Sequence, residues 1–132
     1  MNTSSDVRGF DTLKRILVVD DNTSSRELVR FALETRYVVE EATDGVEAIN
    51  KISQTPPDLI LMDIQMPEMD GYEALHKIRA LPAANPVPVV AITAFAMLED
   101  MQKAIEAGFD GYFPKPINVA ALRAHVDSLL RV

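Results

Sequence analysis

Residues 58–63 read Asp58-Leu59-Ile60-Leu61-Met62-Asp63, an apolar run with a carboxylate at each end. Such a run is typical of a strand that helices cover on both faces. A loop is predicted next at residues 65–71, since Pro67 and Gly71 are typical of loops. In an open parallel sheet, ligands bind outside the carboxyl ends of the strands, so Asp63 lies where a functional group is expected. A lone aspartate after a strand is more often a helix N-cap or a turn residue, so the other strands must decide.

Composition limits the class of protein. The 132 residues suit one compact domain, and 48% hydrophobic with 25% charged residues is ordinary for a globular chain. The absence of cysteine excludes disulfides and cysteine metal sites. A net charge of −7 argues against direct binding to nucleic acid. No apolar run approaches the roughly 18 residues of a membrane span, and no signal peptide is evident. We therefore expect a cytoplasmic protein that does not associate with a membrane.

Hydrophobic periodicity divides the chain into alternating strands and helices. Residues 1–13 are polar and aperiodic and are expected to form a flexible arm before a folded domain at residues 14–132. Within that domain, five predicted strands alternate with five predicted helices; the strands lie at residues 15–19, 37–42, 59–62, 87–93 and 111–113. This order predicts a three-layer α/β domain with a parallel sheet.

Two of the predicted helices carry specific expectations about burial. In the first, at about residues 22–35, the core-facing residues are expected to be Leu28, Val29, Ala32 and Leu33, with Arg26, Glu27, Arg30 and Glu34 largely outside. In the fourth, at about residues 97–107, the buried stripe is expected to be Met97, Met101, Ala104 and Ile105. Gly108 is a suitable left-handed cap for the fourth helix, and Asn118 is a suitable N-cap for the last.

Polar residues follow four of the five predicted strands. The first leads into Asp20 and Asp21 and the third into Asp63, the fourth has Thr93 as its last residue, and the fifth leads to Lys115. In a parallel sheet all of them project at one edge. Three carboxylates at one place repel one another unless a cation lies among them, and Mg²⁺ is commonly held by one or two carboxylates and water. A lysine and a threonine add a positive charge and a hydroxyl donor, so the set is typical of a phosphoryl site with an aspartate nucleophile.

Each of these residues also has a simpler interpretation. Taken alone, Asp20 and Asp21 fit an N-cap pair, Thr93 fits a strand-forming residue and Lys115 fits a surface lysine. Their joint occurrence at four strand ends favours the site. No glycine-rich phosphate loop is present, so a nucleotide is not the evident donor. His76 and His125 lie far apart in predicted helices, and we expect them to be at the surface or partly buried.

The chain resembles the CheY-like receiver domains of two-component response regulators over about residues 15–130. The resemblance rests on four segments in this order and spacing: residues 16–22 (ILVVDDN), 58–71 (DLILMDIQMPEMDG), 91–94 (AITA) and 108–116 (GFDGYFPKP). It implies a three-layer doubly wound (βα)5 flavodoxin-like fold, with a five-stranded parallel sheet of order 2-1-3-4-5.

The resemblance also implies roles for individual residues. Asp63 would be the phosphoacceptor. Mg²⁺ would be bound directly by Asp21, by Asp63 and by the backbone carbonyl of Gln65, with Asp20 acting through water. Thr93 and Lys115 would contact the phosphoryl oxygens. Tyr112 matches the aromatic switch position that works with Thr93, Ala94 matches the small residue beside the acceptor, and the Lys115–Pro116 peptide would be cis.

Partners follow from the same resemblance. The donor would be a phosphohistidine on a histidine kinase or a phosphotransfer protein, and the output would be contact with a downstream protein through the surface of the fourth helix, fifth strand and fifth helix. Such a domain is not an enzyme on other substrates and catalyses only its own phosphorylation and dephosphorylation. Residues 93–97 are similar to single-domain regulators of the bacterial cell-cycle type and to receivers of hybrid kinases. Met1 and the short tail favour a free-standing regulator.

Two other classes of function compete with this interpretation. A Mg²⁺-dependent phosphatase with an aspartate nucleophile would need a general acid nearby, but the residue two positions after Asp63 is Gln65, and no insertion is long enough for a substrate-binding cap. A flavodoxin-like cofactor carrier would need donors for a phosphate-bearing flavin, whereas the predicted loops are acidic and the chain has no tryptophan to stack on the ring.

Overall fold

The computed structural model describes residues 13–130, which form five parallel strands and five helices. Residues 1–12 of the expected N-terminal arm lie outside the described residues. In chain order the elements are β1 (Arg15–Val19), α1 (Thr23–Leu33), β2 (Val38–Ala42), α2 (Gly45–Gln54), β3 (Leu59–Asp63), α3 (Gly71–Arg79), β4 (Val89–Thr93), α4 (Leu98–Ala107), β5 (Gly111–Pro114) and α5 (Val119–Leu130).

The strands are ordered β2-β1-β3-β4-β5, and every neighbouring pair is parallel. One face of the sheet packs against α1 and α5. The other face packs against α2, α3 and α4. β3 lies at the centre and is buried along its whole length because helices cover both of its faces. The three-layer fold and the strand order 2-1-3-4-5 are therefore confirmed.

Short polar side chains start four of the helices. The side chains of Asn22, Asp44, Asp70 and Asn118 each accept a hydrogen bond from the backbone N–H three residues later, at 2.8 to 2.9 Å. These bonds satisfy backbone donors that have no partner within the helix. At the other end of α4, Gly108 has a φ of 111° and takes the left-handed cap conformation. The predicted caps at Asn118 and Gly108 are confirmed.

The expected buried stripe of α4 is wrong in three of its four residues. Only Ala104 is buried, whereas Met97, Met101 and Ile105 are 67%, 40% and 49% exposed. Periodicity finds an apolar stripe on a helix but does not show which face the sheet covers. The helix lies close to the sheet through a small alanine, and the longer apolar side chains point to solvent.

Two expectations for the face of α1 also need correction. Leu28 is 36% exposed, so it lies at the margin of the core, while the other three predicted core residues are buried. Arg26 was expected outside, but its side chain is only 11% exposed. Hydrogen bonds to the Asp20 carbonyl and to Glu41 account for this burial. Among residues 13–130, no helix is both long and apolar enough to cross a membrane.

Candidate functional site

The strand register brings the predicted site residues to one edge of the sheet. β1 ends level with Met62 of β3, so Asp20 lies beside Asp63. Asp63 is paired with the residue before Thr93 in β4. β5 is paired with β4 as far as Thr93, and Lys115 follows at once. Four strand ends that are distant in sequence therefore meet at the carboxyl edge of the sheet, next to the boundary between β1 and β3 where the strand order reverses, which is the usual ligand position in this type of sheet.

Three carboxylates form the acidic part of this edge. Oxygen atoms of Asp20, Asp21 and Asp63 lie within 4.8 Å of one another. Asp20 and Asp63 are only 3% and 6% exposed, whereas Asp21 is exposed. Like charges repel strongly at such spacing when water is largely excluded. The donor set consists of hard oxygens only, which fits Mg²⁺ and not a softer metal.

Lys115 provides the positive charge among these carboxylates. Its Nζ lies 2.9 Å from Asp20 Oδ2 and 3.0 Å from Asp63 Oδ2. Burial lowers the pKa of Lys115, but hydrogen bonds and charges from Asp20 and Asp63 outweigh this and raise it. Its backbone N–H donates to the carbonyl of Thr93 at 2.8 Å, which fixes the start of the loop. The Lys115–Pro116 peptide is cis, as the resemblance implies.

Both oxygens of Asp63 have partners. Oδ1 accepts the backbone N–H of Gln65 at 3.0 Å, and Oδ2 accepts from Lys115. The pKa of Asp63 is raised, chiefly by burial and also by the charge of Asp20, against the lowering effects of Lys115 and the Gln65 N–H. The interpretation of Asp63 as a helix N-cap is wrong, since Asp70 caps α3. The bond to Gln65 does have the form of an aspartate turn, so Asp63 has a structural role as well.

The acidic pair after β1 is not a helix cap either. Asn22 takes that position, and its side chain accepts the N–H of Ser25 at 2.8 Å. Asp20 Oδ1 accepts the N–H of Asn22 at 2.9 Å, which leaves Oδ2 for Lys115. The turn therefore holds the Asp20 carboxylate towards the site.

The loop after β3 folds back onto the end of its own strand. Gly71 donates its N–H to the carbonyl of Ile64 at 2.7 Å. A Cβ at Gly71 would lie 2.7 Å from Ile64 Cα and 2.9 Å from the carbonyl oxygen of Asp63, so only glycine fits there without a shift of backbone. The sequence marked Gly71 as loop punctuation. Its close contact with the acceptor strand was missed, because spacing alone does not show that two backbones touch.

Thr93 and Tyr112 lie on adjacent strands, as expected. Tyr112 is paired with Ala91, two residues before Thr93, so both side chains are on the same face of the sheet. Thr93 is fully buried, and its Oγ1 accepts the N–H of Phe95 at 3.1 Å. Tyr112 is half-buried, and within the described part of the chain its hydroxyl is buried with no hydrogen-bond partner. Burial, followed by the charge of Asp100, raises the pKa of Tyr112.

Arg26, which the periodicity of α1 places largely outside the core-facing side, is a neighbour of the site. Its Nη1 donates to the backbone carbonyl of Asp20 at 2.7 Å, and its Nε donates to Glu41 at 2.9 Å. An arginine near the start of the helix that follows the acidic pair was the available signal. The two histidines lie away from the acidic edge. His76 is exposed on α3, and His125 of α5 packs against Phe113 of β5.

A family model described as the response regulator receiver domain matches residues 16–127. The chain belongs to the response regulator receiver domain family. Receiver domains are the phosphorylation-dependent switches of two-component signalling and not classical enzymes, and they bind Mg²⁺ at their acidic pocket. This family membership disfavours both the separate phosphatase and the cofactor carrier.

Individual relatives agree with this membership. An uncharacterised 14.6 kDa protein of Leptolyngbya boryana is 41% identical over 104 residues, which is 78% of this chain and 79% of that protein. The response regulator MprA of Mycobacterium sp. strain KMS is 38% identical over 118 residues, covering 89% of this chain. The matched segment covers 50% of that regulator's length.

Solved structures of receiver domains are also similar. The chemotaxis protein CheY4 of Vibrio cholerae has a TM-score of 0.84 at 30% identity, covering 89% of this chain and 99% of that one. The receiver domain of the sensor histidine kinase PA1611 from Pseudomonas aeruginosa has a TM-score of 0.83 at 31% identity, covering 92% of this chain and 100% of that one. That structure has a magnesium ion coordinated in its active site cleft.

Proposed function

We propose that this receiver domain accepts a phosphoryl group on Asp63 from a phosphohistidine of a histidine kinase or a phosphotransfer protein. One observation carries the proposal. A carboxylate only 6% exposed ends the central strand, with a lysine ammonium 3.0 Å away and two further carboxylates beside it. A carboxylate with little hydration is a better nucleophile than an exposed one, and a fixed cation beside it stabilises the charge of an incoming phosphoryl group.

The residues present fit Mg²⁺ as the cofactor. Asp21 and Asp63 would be direct ligands together with the backbone carbonyl of Gln65, and Asp20 would act through water. When bound, the cation would neutralise part of the charge on the phosphoryl oxygens. The ion pairs of Lys115 with Asp20 and Asp63 support this proposal, because the same carboxylates attract positive charge.

The transfer itself needs few groups from the protein. A carboxylate oxygen of Asp63 attacks the phosphorus, the phosphorus–nitrogen bond of the donor breaks, and its electron pair stays on the imidazole nitrogen. Lys115 donates to one phosphoryl oxygen. The Thr93 hydroxyl donates to another, since the bond from the Phe95 N–H uses its oxygen as an acceptor and not its hydrogen. Water later attacks the phosphorus, the bond to Asp63 breaks, and inorganic phosphate and the carboxylate are restored.

The output of the switch is a change in protein contacts through the surface of α4, β5 and α5. Exposed apolar residues concentrate beside the site and on the first turn of α4, among them Phe95, Met97 and Leu98. A partner protein would cover such residues. With a net charge of −7, direct binding of nucleic acid by this domain is not proposed. A cytoplasmic location is part of the same proposal, since the donor kinases act there.

The test is labelling with acetyl phosphate and Mg²⁺, followed by intact mass spectrometry. We expect one phosphoryl group on the parent protein. Asp63→Asn should remove it, because an amide is a poor nucleophile. Asp58→Asn is the matched control: Asp58 precedes the same strand but accepts the backbone N–H of Arg15 at the opposite end, so labelling should persist. Full labelling of Asp63→Asn would sink the assignment.

A further inference from the structure

We propose that Arg26 is a positioning residue for the metal site, which sets the direction of Asp21 and so the affinity for Mg²⁺. The inference rests on the function proposed above. Arg26 does not contact the acidic oxygens as Lys115 does. Its Nη1 donates instead to the backbone carbonyl of Asp20, at 2.7 Å. That carbonyl belongs to the peptide unit that joins Asp20 to Asp21.

The bond from Arg26 to the Asp20 carbonyl fixes the whole peptide plane between Asp20 and Asp21 and not only the carbonyl oxygen. A peptide unit is planar, so an anchored Asp20 carbonyl also determines where the N–H and Cα of Asp21 lie. Asp20 has other anchors, because its N–H donates to Ala42 at 3.1 Å and its carboxylate has contacts with Asn22 and Lys115. The Asp21 side chain is exposed, so the backbone before it sets its direction. Loss of the Arg26 contact would therefore disturb Asp21 more than Asp20.

Contacts with Glu41 and Thr23 hold the Arg26 guanidinium in place. Its Nε donates to Glu41 Oε1 at 2.9 Å, and Nη2 lies 3.3 Å from the Thr23 hydroxyl. With 11% of the side chain exposed, the group has little freedom. A rigid fork of donors can serve Glu41 and the Asp20 carbonyl together, which a lysine ammonium cannot do in the same geometry.

The direction of the change in Mg²⁺ affinity distinguishes a positioning role of Arg26 from a purely electrostatic one. A positive guanidinium near the site repels Mg²⁺, so loss of its charge alone would tighten the binding of the cation. Loss of an orienting contact weakens binding, and removal of a group that orients a metal ligand costs about tenfold or more in affinity. The two accounts predict opposite changes for Arg26→Met.

The experiment measures the Mg²⁺ dissociation constant by NMR titration of backbone amides with MgCl2 at constant ionic strength. We expect about a tenfold rise in Kd for Arg26→Met. Arg26→Lys should also bind more weakly, although it keeps the charge. Arg30→Met is the matched control, since Arg30 also binds Glu41, at 2.8 Å, and a backbone carbonyl, that of Val39. Its Kd should stay within about twofold of the parent.

The outcomes distinguish this inference from the proposed function. Unchanged or tighter binding by Arg26→Met would overturn the positioning role, while a saturable response in the parent would leave the proposed function intact. Equal weakening in Arg26→Met and Arg30→Met would also overturn it, because a general loss of stability would then be the cause. Asp21→Ala should abolish saturable binding. A parent with no saturable Mg²⁺ response would overturn both proposals.

Discussion

At the scale of single residues, two tyrosines bury their hydroxyl groups in opposite ways. Tyr37, after α1, donates its hydroxyl to Asp127 of α5, and burial together with this bond raises its pKa. Tyr112 faces the other side of the sheet, and within residues 13–130 its hydroxyl has no partner. A buried polar group without a hydrogen bond costs about 1–3 kcal/mol. The inward position of the Tyr112 ring is thus less stable than its packing alone would make it, which suits a residue that changes position.

This contrast predicts opposite effects for the same chemical change. Tyr112→Phe should raise the free energy of unfolding of the unphosphorylated protein by about 1 kcal/mol, because it removes a buried hydroxyl and keeps the ring. Tyr37→Phe should lower it by about 1–2 kcal/mol, because Asp127 loses a donor. Urea unfolding followed by circular dichroism measures both. A loss of stability in Tyr112→Phe equal to that in Tyr37→Phe would show that the Tyr112 hydroxyl is satisfied in solution.

At the scale of secondary-structure elements, Glu41 joins β2 to α1 beside the site. Its carboxylate accepts from Arg26 and Arg30, and these bonds lower its pKa from an ordinary value of 4.5, the bond from Arg30 most, against an opposing effect of burial. A carboxyl with a lowered pKa in the folded state adds stability above its unfolded pKa and loses it as the pH falls through the folded value. The contact between β2 and α1 through Glu41, Arg26 and Arg30 is therefore expected to weaken at acid pH.

Glu41→Gln should lower the free energy of unfolding by about 1 kcal/mol at neutral pH, the upper end for partly exposed ion pairs. The gap between parent and variant should shrink as the pH falls from 4.5 through the lower folded pKa, since the parent then loses the same charge. Glu27→Gln, on the exposed face of α1, is the control and should change little. Chemical unfolding across a pH series measures the difference, and a gap that stays constant down to strongly acid pH would contradict the role of Glu41.

Most elements could be predicted from the sequence because their signals are local. Most of the strands are short apolar runs between turn residues, and the observed bounds of all five differ from the predicted ones by at most two residues. The site was predictable because chemically related residues followed four strands that a parallel sheet must align. The burial of Arg26 could not be predicted, since its Glu41 partner lies fifteen residues away on another element. Which face of α4 is buried could not be predicted for a similar reason. The helix contacts the sheet through Ala104, and this choice of face depends on the shape of the sheet surface and not on the helix sequence alone.

At the scale of the whole molecule, the proposed function requires a structural change to pass from the acidic edge to a surface that a partner protein contacts. Thr93 and Tyr112 share one face of the sheet, and that face lies under α4, whose Met101 and Ile105 are 40% and 49% exposed. In the proposed switch, a phosphoryl group on Asp63 would offer the Thr93 hydroxyl a charged acceptor, and such a bond is worth about 1.5–3 kcal/mol. A bond that forms in only one of two packings would shift the population towards that packing.

Addition of beryllofluoride and Mg²⁺, which together mimic the acyl phosphate, tests whether the change passes through Thr93 and Tyr112. In the parent protein, backbone amide shifts should change beside Asp63 and also at residues 95–101 and 112–120. In Thr93→Ala the acceptor is intact, so the nearby shifts should remain while the remote ones shrink, and phosphorylation-dependent partner binding should weaken. Thr43→Ala is the matched control, because Thr43 follows the edge strand β2 and its N–H and hydroxyl both donate to Glu47. Undiminished remote shifts in Thr93→Ala would mean that the signal reaches α4 and β5 without the Thr93–Tyr112 pair.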